Sequence, residues 1–218
     1  MSKKKKIAVV LSGSGVYDGS EIHEATLTLL AIARQGASYE IFAPNVEQAH
    51  VINHLTGEEM PETRNVLVEA ARIARGKIAD LKTYKASNFD ALVFPGGFGA
   101  AKNLCTFAFE STACSVNKDV ENAVKQTIAA RKPIGALCIA PVVITKILSD
   151  VKVTIGNDLG TAEAIEKMGG THIKTTHGEV VSDSKYNVYT TPCYMLDATI
   201  DQIADGASQI IKSILESL

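Results

Sequence analysis

The stretch Pro133-Ile134-Gly135-Ala136-Leu137-Cys138-Ile139-Ala140-Pro141 decides the fold, because it has the pattern of a buried strand that turns directly into a helix. Small residues flank the cysteine, and Pro141 suits the first turn of a helix. A side chain at such an elbow is exposed and stands on a strained backbone at a helix N-terminus. We therefore expect the helix end to stabilise the thiolate and to lower the pKa of Cys138.

The same alternation of strand and helix extends over the rest of the chain. Strands are predicted over residues 7–11, 38–43, 90–94, 134–137 and 152–155, with a hairpin over 180–190. Helices are predicted from residue 21 to Gly36 with Ser20 as the cap, over 65–75, 117–130, 140–148 and 161–168, and from 200 onward. Because strands that alternate with helices form parallel sheets covered on both faces, we predict one α/β domain over residues 1–218. Its expected architecture is a flavodoxin-like three-layer sandwich with a mostly parallel sheet.

The composition excludes several classes of protein. A chain of 218 residues can bury a core without disulfides or metal, and 22 basic against 24 acidic residues indicate no nucleic-acid partner. No apolar run reaches the roughly 18 residues of a membrane span. Residues 1–6 form a basic start, which we predict to be flexible, and the five apolar residues after it are too short for a signal peptide. The four cysteines lack metal-binding spacing, so we expect reduced thiols, no metal site and a cytoplasmic protein.

Three unusual stretches follow predicted strands, at the edge of the sheet where ligands of parallel sheets bind. They cover residues 12–24, 95–103 and 138–141. The glycine loop of the second stretch matches neither common phosphate-binding pattern, so its glycines predict close backbone approach to a reacting group. Glu21 and Glu24 lie three residues apart on one helix face. A carboxyl group that faces the thiol in a dry cleft would have a raised pKa and could carry a proton.

Three motifs together resemble one known family. They are Gly19-Ser20-Glu21-Ile22-His23-Glu24, the loop Pro95-Gly96-Gly97-Phe98-Gly99-Ala100-Ala101-Lys102-Asn103, and Gly135 three residues before Cys138-Ile139-Ala140-Pro141. The chain resembles the ElbB-like (enhancing lycopene biosynthesis protein) branch of the PfpI/class I glutamine amidotransferase-like superfamily. Longer strings over residues 11–24, 51–58, 63–67 and 190–196 resemble that branch in particular, and the resemblance covers nearly the whole chain.

The resemblance implies a nucleophilic Cys138 and a buried glutamate on the first helix that hydrogen-bonds the thiolate. Counting back from the glycine that ends the helix places this glutamate at Glu24, with Glu21 as the alternative. Backbone amides of Gly97 and Ile139 are expected to form the oxyanion hole. The family also implies a homodimer, no cofactor, and a glyoxalase activity that turns small aldehydes such as glyoxal and methylglyoxal into 2-hydroxy acids without glutathione.

The chain departs from the family pattern in its histidines. Many members have a histidine directly after the cysteine or after the next strand, where this chain has Ile139 and Gly156. The amidotransferase triad is therefore not visible, and His23 is kept as a candidate pocket residue.

We predict a glyoxalase-like enzyme that acts through a Cys138 hemithioacetal. The alternatives are a redox or electrophile-stress protein without turnover, and an amidotransferase-like subunit that needs a partner.

Overall fold

A computed structural model describes residues 4–218 of the chain. The strands are β1 (Lys6–Val10), β2 (Ser38–Ala43), β3 (Ile78–Asp80), β4 (Ala91–Phe94), β5 (Ile134–Leu137), β6 (Lys152–Val153), β7 (Thr171–His172), β8 (Val181–Asp183) and β9 (Val188–Thr191). Within residues 4–218, seven of them form one sheet in the order β3-β2-β1-β4-β5-β9-β8, while β6 and β7 pair separately. All neighbours in the large sheet are parallel except β8 and β9. The predicted flavodoxin-like α/β fold is therefore confirmed.

Helices cover both faces of this sheet. They are α1 (Ile22–Arg34), α2 (Val66–Ile73), α3 (Phe98–Lys102), α4 (Phe107–Glu110), α5 (Lys118–Ala129), α6 (Pro141–Leu148), α7 (Leu159–Lys167) and α8 (Ile200–Glu216). Helix α8 packs against α1, β5 and β9, whereas α5 packs against β4, β5 and α6. Because helices cover both of its faces, the centre of the sheet is apolar throughout, and every residue of β4 and β5 is buried.

Gly135 in β5 lets α8 approach the sheet closely. A Cβ atom at this position would lie 2.7 Å from Cδ1 of Ile214 and 3.3 Å from Cγ2 of Val93. The small residue in the middle of the elbow stretch is thus required by packing on the side of the sheet that α8 covers.

Most predicted elements occur within a residue or two of their predicted bounds, and the differences have local causes. Helix α1 is capped by Glu21, whose carboxylate accepts a hydrogen bond from the Glu24 N–H at 2.7 Å, and not by Ser20. Ser20 instead turns inward, where its Oγ accepts a hydrogen bond from the Ser12 N–H at 2.8 Å. The sequence pattern missed β3, β7, α3 and α4, each of two to five residues, because such short elements show no periodicity.

The basic start of the chain is partly a strand. Residues 1–3 of the predicted flexible segment lie outside the described residues, but Lys6 belongs to β1 and pairs in register with Ser38. Its ammonium group lies 2.6 Å from the carboxylate of Glu40 and remains partly exposed. A lysine can occupy the first position of a buried strand because its long stem keeps the charge in water. Across residues 4–218, no helix has the length and apolar character needed to cross a membrane.

Candidate active site

Cys138 occupies the elbow between β5 and α6. Its φ angle is +59°, in the left-handed region that residues other than glycine rarely adopt. Its own N–H donates to the carbonyl oxygen of Thr191 at 3.0 Å, which ties the elbow to the end of β9. The side chain is only 7% exposed, so the thiol is less accessible than the sequence predicts. The strained turn is held by the surrounding strands and aims the sulfur toward the carboxyl edge of the sheet.

Two backbone amides beside the sulfur of Cys138 lower the pKa of its thiol. They belong to Gly97, in the glycine loop after β4, and to Ile139, the next residue of the elbow. Gly97 has a φ of +97°, and a Cβ atom there would lie 2.2 Å from the Glu21 backbone nitrogen. Only glycine therefore fits at this point, where the loop and the start of α1 meet.

Glu24 is the carboxyl group that faces the thiol. It is completely buried, and its carboxyl group lies beside the thiol of Cys138. Its Oε2 accepts from the Gly96 N–H at 3.0 Å, and its Oε1 accepts from the Tyr194 N–H at 3.1 Å. A Cβ atom on Gly96 would lie 2.6 Å from Glu24 Oε2 and 2.9 Å from the Cys138 sulfur. A glycine at position 96 is thus what allows the carboxyl and the thiol to meet.

Burial dominates the ionisation of this pair. It raises the pKa of Glu24 to about 8, although the hydrogen bonds from Tyr194 and Gly96 oppose the shift. Burial also raises the pKa of the Cys138 thiol, and the negative charge of Glu24 raises it further, while the amides of Gly97 and Ile139 lower it. The expected lowering of the Cys138 pKa is therefore wrong, because removal from water outweighs the helix end. A neutral Glu24 relieves the repulsion, so thiol and carboxyl titrate as one pair.

Glu21 and His23 lie close by but make different contacts. The Glu21 carboxylate caps α1 and lines the cavity in front of Cys138. The His23 side chain is exposed, and its Nδ1 lies 2.9 Å from the hydroxyl oxygen of Tyr194. The structure thus brings Cys138, Glu24, Gly97 and Ile139 together, with Glu21 at the cavity wall and His23 behind Tyr194.

A cavity of about 470 Å³ opens in front of the thiol. Its walls come from the loop before α1, the glycine loop with α3, helix α4, the elbow, the start of α7 and the turn after β9. The lining residues are Val16, Glu21, Gly97, Phe98, Ala101, Phe107, Ala108, Cys138, Ile139, Asp158, Thr161, Tyr194 and Met195. Within the described part of the chain this lining contains no lysine, arginine or histidine. A larger groove of about 610 Å³ beside Tyr39 and Arg75 contains no cysteine, so it lacks a nucleophile.

Several contributors to the site were missed in the sequence. The turn after β9 supplies the Tyr194 amide that binds Glu24, together with the side chains of Tyr194 and Met195. Its signal was available, because β9 pairs with β5 and the carboxyl ends of neighbouring parallel strands meet. Phe107 begins the short helix α4 and Asp158 precedes α7, and neither position belongs to a periodic pattern that would mark it in the sequence.

In the described part of the chain, the remaining cysteines and the histidines do not form a metal-binding cluster. Cys105, Cys114 and Cys193 are buried and unbridged. Over residues 4–218, no group of three His, Cys, Asp or Glu side chains has an arrangement that could hold a metal ion.

Comparison with known proteins identifies relatives over nearly the full chain. The rat protein named "ES1 protein homolog, mitochondrial" is 48% identical over 223 residues, covering 98% of this chain and 84% of its own length. The human "Glutamine amidotransferase-like class 1 domain-containing protein 3, mitochondrial" is 49% identical over 221 residues, covering 97% and 82%. No protein-family model matches the chain. The predicted cytoplasmic location is contradicted by these names, which point to the mitochondrion.

Solved structures show the same fold. An isoprenoid biosynthesis protein with an amidotransferase-like domain from Ehrlichia chaffeensis is 38% identical, with a TM-score of 0.91, and the alignment covers 97% of this chain and 98% of that one. Glyoxalase III from Candida albicans has a TM-score of 0.64 at 13% identity, covering 98% and 97%. At that identity the second comparison establishes a common fold only.

Proposed function

The chain belongs to the ElbB-like branch of the PfpI/class I glutamine amidotransferase-like superfamily, and from that premise we propose that it is a glutathione-independent, glyoxalase-like enzyme. The observation that carries the proposal is the buried, adjacent pair of Cys138 and Glu24 at the inner end of an open cavity. A nucleophile next to a proton carrier with a pKa near neutral is the arrangement that covalent catalysis on an aldehyde needs. The expected small aldehyde substrate, homodimer and independence of cofactors belong to this proposal.

In the first step the sulfur of Cys138 adds to the aldehyde carbon. A carbon–sulfur bond forms, the carbonyl π electrons move to oxygen, and that oxygen takes up the thiol proton to give a hemithioacetal. The amides of Gly97 and Ile139 lie beside the sulfur, so we expect them to donate to an oxygen one carbon away. They stabilise the negative charge that develops before the proton arrives.

In the second step Glu24 moves a proton between the two carbons. As the carboxylate it removes the hydrogen from the former aldehyde carbon, which is bonded to the sulfur that Glu24 already contacts. The resulting enediol takes the proton back on the neighbouring carbon, and the product is a thioester of a 2-hydroxy acid. A pKa of about 8 suits a group that acts first as base and then as acid near neutral pH.

In the third step water hydrolyses the thioester and restores the thiol. The sum is the addition of one water molecule to the 2-oxoaldehyde. One carbon is oxidised while its neighbour is reduced, so no external oxidant or reductant takes part. The mouth of the cavity is open, since Phe98 at its wall is 48% exposed, and water can enter.

Glycolate production from glyoxal tests the proposal. The wild-type protein is expected to form glycolate without glutathione, and Cys138→Ala is expected to form none. Cys105→Ala, which removes a buried thiol that does not line the cavity, serves as the matched control. Glycolate from Cys138→Ala at the wild-type rate would refute the mechanism, whereas peroxide oxidation of Cys138 in a wild-type protein without turnover would support a redox role instead.

The lining of the cavity disfavours the amidotransferase alternative. Glutamine carries an α-carboxylate, and the cavity offers Glu21 and Asp158 but, among the described residues that line it, no cation to bind that group. The lining also lacks the histidine that would accept the thiol proton. We expect no release of ammonia from glutamine by the isolated protein.

A further inference from the structure

We propose that the cavity in front of Cys138 selects aldehydes that carry an uncharged, apolar body such as an aromatic ring, and that Phe107 determines this specificity. The inference rests on the proposed function and deepens it. It concerns the part of the substrate that does not react, which the mechanism leaves open.

The size of the cavity is the first observation. About 470 Å³ corresponds to the volume of about 16 water molecules in the liquid, and it lies within the range of cavities that bind drug-sized ligands. Glyoxal has four heavy atoms and would leave most of this space filled with water. A substrate that uses the cavity has a body considerably larger than two or three carbons.

The chemistry of the walls is the second observation. Apolar side chains from separate elements face the cavity, including Val16, Phe98, Phe107, Ile139 and Met195. Phe98 remains 48% exposed although it is large and apolar. Aromatic and thioether side chains around a cavity bind flat apolar groups through buried area and ring contacts. The walls therefore favour an aryl or branched alkyl body.

The charge of the cavity is the third observation. Its formally charged side chains are the carboxylates of Glu21 and Asp158. Hydrogen bonds from Thr161 lower the pKa of Asp158, so this group keeps its negative charge near neutral pH. A substrate with a carboxylate or phosphate would meet like charge without a compensating cation in the described lining, and it would be rejected.

Helix α4 provides a matched pair of residues for the test. Phe107 lines the cavity, whereas Phe109 faces away from it and packs edge-on against the His50 ring with centroids 5.0 Å apart. Truncating either residue removes the same number of atoms from the same helix. A change in substrate preference that follows Phe107→Ala but not Phe109→Ala must therefore arise in the cavity.

The first experiment compares kcat/KM for methylglyoxal, phenylglyoxal and 4-carboxyphenylglyoxal. Each rate is divided by the rate of addition of a free thiol to the same aldehyde, which removes differences in intrinsic reactivity. We expect phenylglyoxal to exceed methylglyoxal by roughly 10- to 100-fold, because a buried ring contributes that much to binding. The added carboxylate should cancel most of the gain. Phe107→Ala should lower the ratio of phenylglyoxal to methylglyoxal about tenfold, and Phe109→Ala should leave it unchanged.

The second experiment needs no turnover. 2-Chloroacetamide and N-benzyl-2-chloroacetamide alkylate Cys138 by the same step, in which sulfur displaces chloride, and mass spectrometry measures the rate at this residue. The benzyl probe is expected to react roughly 10-fold faster or more with the wild type and with Phe109→Ala, and to lose this advantage in Phe107→Ala.

The outcomes separate the two proposals. Equal rates for both probes, or a benzyl preference that survives Phe107→Ala, would overturn the specificity inference even if glyoxal is turned over. A benzyl preference that depends on Phe107, in a protein that converts no aldehyde, would support the cavity assignment and refute the glyoxalase proposal.

Discussion

Cys138 and Cys105 are both buried thiols, yet only Cys138 has neighbouring groups that could take part in a reaction. Burial raises the pKa of Cys105 to about 12, and it also raises that of Cys138. Cys105 follows α3 in the chain, and its thiol donates to the carbonyl oxygen of Ala100 at 3.4 Å. Cys138 has a positive φ, a carboxyl partner and an adjacent cavity. Burial therefore does not distinguish the proposed nucleophile from a core thiol, whereas the partner groups do.

The strongest test of this contrast removes each sulfur in turn. Cys138→Ala is expected to lower glyoxal turnover by about three orders of magnitude or more, because the covalent intermediate cannot form. Cys105→Ala should keep wild-type turnover and lose only stability through a small cavity. Initial rates and thermal unfolding of both variants provide the check. Equal losses of turnover in the two variants would remove the distinction between the sites.

The next test separates the two glutamates. Glu24→Gln keeps the size of the side chain but removes the titrating proton, and we expect turnover to fall about 100-fold or more. Glu21→Gln keeps an oxygen that can cap α1, so the loss should be tenfold or less. Single-turnover kinetics with glyoxal measure both. A larger loss in Glu21→Gln than in Glu24→Gln would assign the proton transfer to Glu21.

A third test inserts a single carbon between the thiol and the carboxyl. Gly96→Ala would place its Cβ atom 2.6 Å from Glu24 Oε2 and 2.9 Å from the Cys138 sulfur. We expect about tenfold or greater loss of turnover, with a destabilisation of about 1–3 kcal/mol from overpacking. Gly160→Ala, where the nearest atom would lie at 3.7 Å, is the control and should retain activity. Full activity in Gly96→Ala would mean that contact between the pair is dispensable.

A fourth test, which leaves turnover aside, concerns the pH dependence of stability. Between the ordinary pKa of 4.5 and about 8, folded protein keeps a proton on Glu24 that the unfolded chain has lost. The free energy of unfolding should therefore decrease as the pH rises through this range, by up to about 1.4 kcal/mol per pH unit. Denaturant unfolding of wild type and Glu24→Gln between about pH 5 and pH 8 measures the slope. A slope that is equally steep in Glu24→Gln would refute the shifted pKa.

The same contrast explains how far sequence reasoning reaches. The elbow at Cys138 and the glycines of residues 96–97 are predictable, because each follows an apolar strand of a parallel sheet. The carboxyl ends of such strands lie at one edge of the sheet, where ligands bind. The spacing of Glu21 and Glu24 leaves both open, since choosing between them requires knowing which way α1 faces. The structure places Glu24 against the sulfur through amides from two separate loops.

Properties that depend on many distant residues escaped prediction. The raised pKa of Cys138 reflects its removal from water and the nearby charge of Glu24, which no local pattern encodes. The cavity is lined by residues far apart in the sequence, such as Phe107 and Asp158. The composition did not predict the cellular location correctly, since the relatives named mitochondrial contradict the cytoplasmic expectation.

The central claim is that Cys138 and Glu24 ionise as one pair, and the pH dependence of Cys138 alkylation by iodoacetamide tests it most directly. The wild type and Glu21→Gln should show two steps, the first near the pKa of about 8 that burial gives Glu24 and the second at higher pH. Glu24→Gln should lose the lower step and keep a single ionisation. The same two-step profile in all three proteins would contradict the pairing of these groups.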